Sequence, residues 1–260
     1  MQQAWRTGVR PRQTHPVEQV SRDAVFESVQ ALVAAGEYLD NSPAIEETAS
    51  ISGGGRFLVT PEHRYRRVCT RGTPEYLQAR RAGLLERLRA LPTASAEAVE
   101  EAESVIRYRL PSLLRRLYLE VGNEGFGPGY GVLGLTGGRH DDLGRTALDW
   151  YRQAHDTPES HWPGLPASVL PLCHWGCAIY SLIDCSDPEG LMWGWDPNLG
   201  PEGMEALFPQ PLTLAQWLDR WVRGNLHQPT LVQDPTTQEW RGATDEEYAQ
   251  RAAALTERFS

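Results

Sequence analysis

Residues 110–131 read LPSLLRRLYLEVGNEGFGPGYG, and the fold prediction rests on the change of period inside this stretch. Apolar residues recur at spacings of three and four in its first half, which predicts a helix with one broad apolar face. Gly122 stands where a left-handed C-cap is usual, and the glycines that follow cannot continue a helix. The apolar positions are Leu113, Leu114, Leu117, Tyr118 and Val121. The sequence therefore predicts a helix that ends in a glycine-rich corner, from which a strand over 132–135 emerges.

Further helices are predicted on the N-terminal side of this corner. Residues 17–39 and 95–108 carry apolar side chains at helical spacing. Thr73 offers a capping hydroxyl, followed by proline, for a helix over 76–91. The glycines at 53–55 indicate a turn. They do not form a phosphate-binding loop, because that loop needs a lysine and the chain contains none.

Strands are predicted on the C-terminal side of the corner, and a helix follows them. That helix is capped by Thr213 and ends at Gly224. The predicted strands are 169–172, 177–185 and 191–196, with a turn at 186–190, and further helices are predicted at 146–155 and 245–258. This order predicts an α+β fold in which helices pack on a mainly antiparallel β-sheet.

The net charge of −9 over 260 residues is unevenly distributed. Residues 1–91 contain 13 arginines and 10 acidic residues, whereas residues 92–260 contain 12 arginines and 24 acidic residues. An acidic surface repels nucleic acid and anionic lipid and attracts basic proteins. The charge therefore favours a basic protein partner over nucleic acid or a membrane. The alternative is an acidic surface that serves only solubility.

The sequence also carries information about the compartment. No apolar run approaches the roughly 20 residues that span a bilayer, and the first 16 residues lack the apolar centre of a signal peptide. We therefore expect a cytoplasmic protein. Four cysteines in so long a chain do not indicate a disulfide scaffold.

Motifs that would carry chemistry are weak in this chain. Residues 129–134 match the pattern Gly-x-Gly-x-x-Gly, but a helix precedes them and no helix is predicted to follow, so we expect no nucleotide site. The spacing of Cys173, His174, Cys177 and Cys185 is unlike that of a zinc site, and core packing is favoured for these cysteines. No cofactor and no metal are predicted.

One loop, His140-Asp141-Asp142, brings a base and two carboxylates together. Such a group could serve acid–base chemistry or hold a metal, but three adjacent polar residues in a loop usually face solvent. Neither a Gly-x-Ser-x-Gly elbow nor a His-Glu-x-x-His motif occurs in the sequence. The sequence therefore predicts no catalytic residues.

Two indoles are predicted to lie on one face of a hairpin. Leu191, Trp193 and Trp195 alternate with Met192, Gly194 and Asp196, so the two sets point to opposite faces of the strand. Tryptophan is common both in cores and at interface hot spots. Both interpretations stay open for Trp193 and Trp195, and core packing is favoured for at least one of them.

The stretch quoted first resembles the SUKH superfamily, which includes the fungal cell-wall-assembly regulators Smi and Knr. Residues 110–131 are similar to the family's helix and glycine corner, and 170–181, LPLCHWGCAIYS, are similar to its second signature. The helix over 214–224 resembles its C-terminal element. Glu124 departs from the family, which commonly has glycine at that place, and this affects the backbone angle of the turn.

The resemblance implies a SUKH-like fold and binding without catalysis. Bacterial members of the family resemble immunity proteins that neutralise secreted toxins by covering them, and many such toxins are nucleases with basic faces. A regulatory scaffold that binds a housekeeping protein is the main alternative. An enzyme that uses the His140–Asp142 loop is a second alternative.

We expect a monomer or weak dimer with an N-terminal extension (1–72), a SUKH-like domain (73–226, core 92–226) and a C-terminal extension (227–260). The partner is expected to be a basic toxin domain. The predicted contact residues are Glu124, Tyr130, Asp141, Asp142, Asp187, Trp193, Trp195 and Asp196.

Overall fold

The computed structural model describes residues 20–46, 57–59, 65–138, 143–156, 165–198 and 206–250 of the chain. Helices and antiparallel sheets occur together in these residues, so the predicted α+β class is confirmed. The helices are α1 (Arg22–Ala35), α2 (Pro74–Arg81), α3 (Ala96–Ile106), α4 (Ser112–Glu120), α5 (Ala147–Asp156) and α6 (Leu214–Arg223). A further helix occupies residues 245–250.

Three antiparallel sheets are present in the described residues. The strands are β1 (Asn41–Glu46), β2 (Phe57–Val59), β3 (Tyr65–Thr70), β4 (Val169–Gly176), β5 (Ile179–Asp184), β6 (Leu191–Trp195), β7 (Leu207–Thr213), β8 (Leu231–Gln233) and β9 (Trp240–Gly242). Their orders are β1-β3-β2, β4-β5-β6-β7 and β8-β9. The four-stranded sheet is the central one, and its strands β5 and β6 contribute mostly buried residues.

The main core joins the helices to the four-stranded sheet. Its largest fully buried side chains include Trp217 and Trp221 of α6, Tyr118 of α4 and Phe26 of α1. On one face of the sheet, Trp150 of α5 meets Tyr180 edge-on at a centroid distance of 5.4 Å. Burial of apolar side chains on this scale is the main source of stability.

The N-terminal helix belongs to this core. One face of α1 is buried among the same residues as α4 and α6, through Val25, Phe26, Val29, Leu32 and Val33. The guanidinium of Arg116 lies 3.6 Å from the centroid of the Phe26 ring, which adds a cation–π contact between α4 and α1. The packing therefore unites residues 22–35 with the predicted core at 92–226.

Helix ends differ from the predictions where a local cap intervenes. The helix predicted over 17–39 begins after the capping hydroxyl of Ser21 and ends at Gly36, whose φ of 71° is left-handed. The helix predicted over 76–91 is wrong in length, because α2 ends at Arg81. There Gly83 takes a φ of 68° and the Leu84 amide donates to the Ala79 carbonyl, which closes the helix.

Two strand predictions also need correction. The segment 177–185 is not one strand, because Cys177 and Ala178 form the turn between β4 and β5 with φ of 49° and 58°. Two left-handed residues are what a tight hairpin turn requires. The strand predicted at 132–135 is reduced to a single bridge between Val132 and Cys173.

Candidate interaction site

The glycine corner and the β4–β5 hairpin form one body. The Tyr130 amide donates to the His174 carbonyl at 2.9 Å, and the Leu133 amide donates to the Leu172 carbonyl at 2.8 Å. From the other side, the Tyr118 hydroxyl of α4 donates to the Leu133 carbonyl at 2.8 Å. The two segments that carry the family resemblance are therefore joined by backbone hydrogen bonds.

Glycine is required at two positions of the corner. Gly131 has a φ of 90°, and a Cβ there would lie 2.5 Å from the Gly125 carbonyl oxygen. Gly129 has a φ of 56°, and a Cβ there would lie 2.7 Å from the His174 carbonyl oxygen. Both positions combine a left-handed backbone with a close approach of backbone to backbone, which fixes the shape of the corner.

The turn at Glu124 has its left-handed backbone on the next residue. Glu124 is not among the described residues with positive φ, and the left-handed position falls on Gly125, with a φ of 75°. Nearby, the buried Asn123 side chain accepts a hydrogen bond from the Leu135 amide at 2.9 Å. Glu124 is half-buried at the edge of this turn.

Tyr130 is the exposed aromatic residue of this corner. Its side chain is 61% exposed, although its own amide is held by the hairpin. Its ring lies 5.4 Å from the His174 ring, which stacks at 4.5 Å on the buried Tyr180. The solvent-facing ring of Tyr130 therefore packs on the His174 ring, which packs in turn on the Tyr180 ring. We define residues 129–131 and 174–178 together as the corner platform.

Trp175 fixes the other side of the corner platform. Its indole N–H donates to the hydroxyl of Ser181 at 2.9 Å, and Ser181 is fully buried in β5. The Trp175 backbone also packs closely on Gly129, because a Cβ added to Gly129 would lie 3.1 Å from the Cα of Trp175. The indole therefore has one fixed orientation, half-exposed beside Tyr130.

Two of the predicted contact residues are buried, so their placement on a contact surface is wrong. Trp195 is 5% exposed and belongs to the main core. Asp196 is 1% exposed, and its carboxylate accepts hydrogen bonds from the Leu231 amide at 3.0 Å and the Asn198 amide at 3.1 Å. Asp196 therefore connects β8 to the central sheet. The alternation of residues along β6 does not predict this structural role.

Trp193 and Asp187, two further predicted contact residues, lie outside the corner platform. Trp193 is half-buried against the core on β6. Asp187 is half-exposed in the β5–β6 turn, where its side chain accepts from the Glu189 amide at 2.8 Å. This turn is at the opposite end of the six-residue β5 from Tyr130, about 17 Å away at the rise of a strand. Asp141, Asp142 and His140 lie outside the described residues.

The cysteines are mainly packing residues. Cys173 and Cys185 are buried, as the sequence predicts, and Cys69 is buried as well. The prediction of core packing is wrong for Cys177, which is exposed because it lies in the β4–β5 turn. The Cys173 thiol donates to the Pro128 carbonyl at 3.1 Å, which is a further link between the corner and β4. Burial raises the pKa of the Cys173 thiol well above its ordinary value and that of Cys185 to about 12. Within the described part of the chain, no cluster of His, Cys, Asp and Glu could hold a metal ion.

A cleft that the sequence did not indicate opens beside the corner platform. Its cavity volume is about 340 Å³, and Trp175 forms one wall. Arg71 and Trp221, which are both buried, also line it, as does Asp40. Residues 226–228 and Tyr248 complete the lining on the C-terminal side of the chain. The cleft thus combines residues from both ends of the described chain with the central sheet.

Asp40 connects the cleft to the corner platform. Its carboxylate accepts a hydrogen bond from the Gly129 amide at 3.3 Å. Desolvation raises the pKa of Asp40, and the Gly129 amide and the Arg71 charge oppose that rise. The nearby Trp221 indole N–H also lowers the pKa of Asp40, although the indole N–H does not meet the geometric criteria of a hydrogen bond to the carboxylate. Asp40 is therefore half-buried at the cleft, and its carboxylate accepts a hydrogen bond from the corner platform.

Comparisons of the chain with family models, with curated proteins and with solved structures found no match. The resemblance to the SUKH superfamily stays a prediction. Within the described ranges, every helix is too short or too polar to cross a membrane.

Proposed function

We propose that this chain acts by binding another protein without catalysis, as an immunity-type protein that covers a basic toxin domain. The observation that supports this best is Tyr130, an exposed aromatic side chain on a backbone that glycine contacts and hairpin hydrogen bonds hold in one shape. Tyrosine is enriched among the residues that dominate binding energy, and a preorganised anchor loses little entropy on association.

Charge supports the nature of the partner. Residues 92–226 contain 9 arginines against 18 acidic residues, a balance of −9. Several arginines in the described part of this range are paired with carboxylates at the surface, as in Arg152 with Glu101 at 2.8 Å, and acidic residues outnumber arginines two to one over the whole range. A surface of this kind steers a basic partner toward it and speeds association at low salt.

The test is co-expression with a toxin-type protein encoded by a neighbouring gene. If the proposal is correct, the chain restores growth, and the purified pair associates faster as the salt concentration is lowered. A folded chain that fails to rescue growth and does not bind would contradict the proposal. Rescue without any complex would contradict neutralisation by direct binding.

The runner-up, a regulatory scaffold, makes a different prediction. A scaffold would bind a housekeeping protein and leave toxin activity unchanged. The same corner platform could serve it, because an anchored tyrosine recognises surfaces of many kinds. Rescue of growth in the co-expression test therefore distinguishes the two functions.

A further inference from the structure

A basic segment with two exposed leucines lies on the surface, outside the corner platform. Residues 77–89, which we call the basic segment, contain four arginines and one acidic residue. Leu77 is 43% exposed and Leu84 is 40% exposed, whereas most leucines in the described part of the chain are buried. Exposed apolar side chains that are bordered by charges are typical of a contact surface.

The backbone of the basic segment is fixed by the neighbouring elements. Leu77 and Arg81 lie one turn apart on α2, and both are exposed while Tyr76 and Ala79 are buried. After α2 the segment runs beside β1, because the Glu86 amide donates to the Pro43 carbonyl at 2.8 Å. A shallow groove of about 580 Å³ follows the outer face of α2. Its border is formed by Gly72, Pro74, Leu77, Gln78, Arg81 and Ala82.

Most arginines of the basic segment are free of ion pairs within the chain. Arg80 pairs with Glu37 at 2.8 Å. Arg81, Arg87 and Arg89 are exposed, and none of the three has an ion pair in the part of the chain that the structure describes. Their charges are therefore open to a partner.

The outer face of α3 carries the opposite charge. Glu97 and Glu100 lie one turn apart and are both exposed, while the other side of the helix is buried through Val99 and Ala102. Among the described residues, neither glutamate forms an ion pair, in contrast to Glu101, which is paired with an arginine of α5. Two complementary charged faces thus stay unpaired within one chain.

The distribution of charge decides which occupant fits the basic segment. Residues 1–91 have a balance of +3 and residues 92–260 a balance of −12. A nucleic acid would gain from the exposed arginines but would be repelled by the acidic remainder of the chain. A second copy of the chain instead brings carboxylates to the arginines, and charges left unpaired within one copy are paired between two.

We propose that the basic segment of one copy docks on the outer face of α3 of a second copy. In this contact the exposed arginines pair with Glu97 and Glu100, and the exposed surfaces of Leu77 and Leu84 are removed from water. This inference is independent of the proposed toxin binding, because it rests on residues outside the corner platform.

The salt dependence of self-association tests the contact with the full chain alone. Sedimentation over a range of protein concentrations should show reversible association beyond the mass of one chain. The dissociation constant should rise at least about tenfold from about 0.01 M to about 1 M salt, because the Debye length falls from about 30 Å to about 3 Å. A single-chain mass at every concentration in low salt, or association that salt does not weaken, would overturn the inference.

An exchange of charges locates the two faces. One variant combines Arg81→Glu with Arg87→Glu, and the other combines Glu97→Arg with Glu100→Arg. Each variant alone should associate at least about tenfold more weakly than the parent, because like charges then face each other. A mixture of the two variants should associate again, since the charges are complementary between them. A mixture of folded variants that stays monomeric would overturn the assignment.

Glu100→Gln keeps the shape of the side chain and replaces the α3 variant if that variant does not fold. It should weaken self-association about threefold, because one exposed charge pair is lost. Unchanged association in folded Glu100→Gln would then count against α3 as the docking face and overturn the assignment.

The control variant combines Arg107→Glu with Arg109→Glu. Both arginines are exposed and lie outside the basic segment, so the net charge changes as it does in the first variant. This control should associate as the parent does, and an equal loss in the control would overturn the assignment to the basic segment. Binding of a single-stranded oligonucleotide through Arg81 and Arg87, by a chain that stays monomeric, would overturn it in favour of nucleic acid.

Discussion

At the scale of single residues, the shape of the corner depends on glycines whose missing side chains leave room for backbone. Gly131 and Gly137 both adopt a left-handed backbone, with φ of 90° and 80°. They differ in their surroundings, because a Cβ on Gly131 would lie 2.5 Å from the Gly125 carbonyl oxygen, whereas a Cβ on Gly137 would meet nothing within 4 Å. This pair separates the cost of the backbone angle from the cost of the clash.

Alanine at these two positions should therefore have unequal effects. Gly137→Ala should lower the free energy of unfolding by about 1 kcal/mol, which is the cost of a left-handed backbone. Gly131→Ala should lower the free energy of unfolding by about 3 kcal/mol or more, because the backbone at Gly125 must also move to make room for the methyl group. Denaturant unfolding of both variants measures the difference. Equal losses would mean that the corner is not held by this close approach.

Asp40 gives a prediction about pH. Its pKa is raised above the unfolded value of 3.8, so the folded state binds a proton more tightly than the unfolded state. The stabilisation from the protonated carboxyl is fully present below pH 3.8 and is lost as the pH rises through the folded pKa. Above that pKa the ionised group costs stability.

Asp40→Asn should remove this dependence. The free energy of unfolding of the variant should fall less than that of the parent between pH 4 and pH 7, and at pH 7 it should equal or exceed the parent's. The Asp187→Asn variant, altered outside the cleft, controls for the general effect of losing one carboxylate. A steeper pH dependence in Asp40→Asn would mean that the Arg71 charge, and not desolvation, dominates at Asp40.

At the scale of elements, the caps of α6 could be predicted from the sequence, whereas an edge strand of the sheet could not. Helix α6 begins after Thr213 and ends at Gly224, as these residue types predict. Such caps can be predicted because capping depends on residues that are close in sequence. Strand β7 could not be predicted, since Pro209 and Pro211 break the strand pattern and are tolerated there only at an edge of the sheet. The turn at Cys177 and Ala178 could not be predicted either, because neither residue type favours positive φ.

The cap of α6 provides a test at this scale. The Thr213 hydroxyl accepts from the Gln216 amide, and the Gln216 side chain accepts from the Thr213 amide, which makes a capping box. Thr213→Ala should lower the free energy of unfolding by about 1 kcal/mol. Thr236→Ala is the control, because the backbone amide of Thr236, which the substitution keeps, makes its hydrogen bond to Asp234. This variant should change stability by less than about 0.5 kcal/mol. Similar effects in both variants would show that the cap contributes little.

At the scale of the whole molecule, long-range packing joins parts that the sequence separates. The core pattern of 92–226 could be predicted, but the burial of α1 against α4 and α6 could not, because an amphipathic helix does not reveal its partner. The same limit applies to the cleft. Asp40 and Arg71 meet Trp175 and Trp221 only after the chain has folded, and no motif in the sequence links them.

This packing predicts that residues 92–226 do not fold alone. Without α1, the surfaces of α4 and α6 that cover Phe26 and Val29 would be exposed to water. The fragment should lack a cooperative thermal transition and near-ultraviolet circular dichroism, whereas the full chain should show both. A fragment that unfolds as cooperatively as the full chain would contradict this account of the core.

The most direct measurement is the affinity of a Tyr130→Ala variant for the partner that the parent chain neutralises. Tyr108→Ala is the matched control, because Tyr108 is also exposed, at 40% against 61% for Tyr130, but lies outside the corner platform. If the platform is the docking surface, Tyr130→Ala should weaken binding by about 2 kcal/mol or more while the unfolding midpoint stays within error of the parent's. Tyr108→Ala should change neither quantity. Full affinity in Tyr130→Ala would contradict the claim that the corner platform anchors the partner.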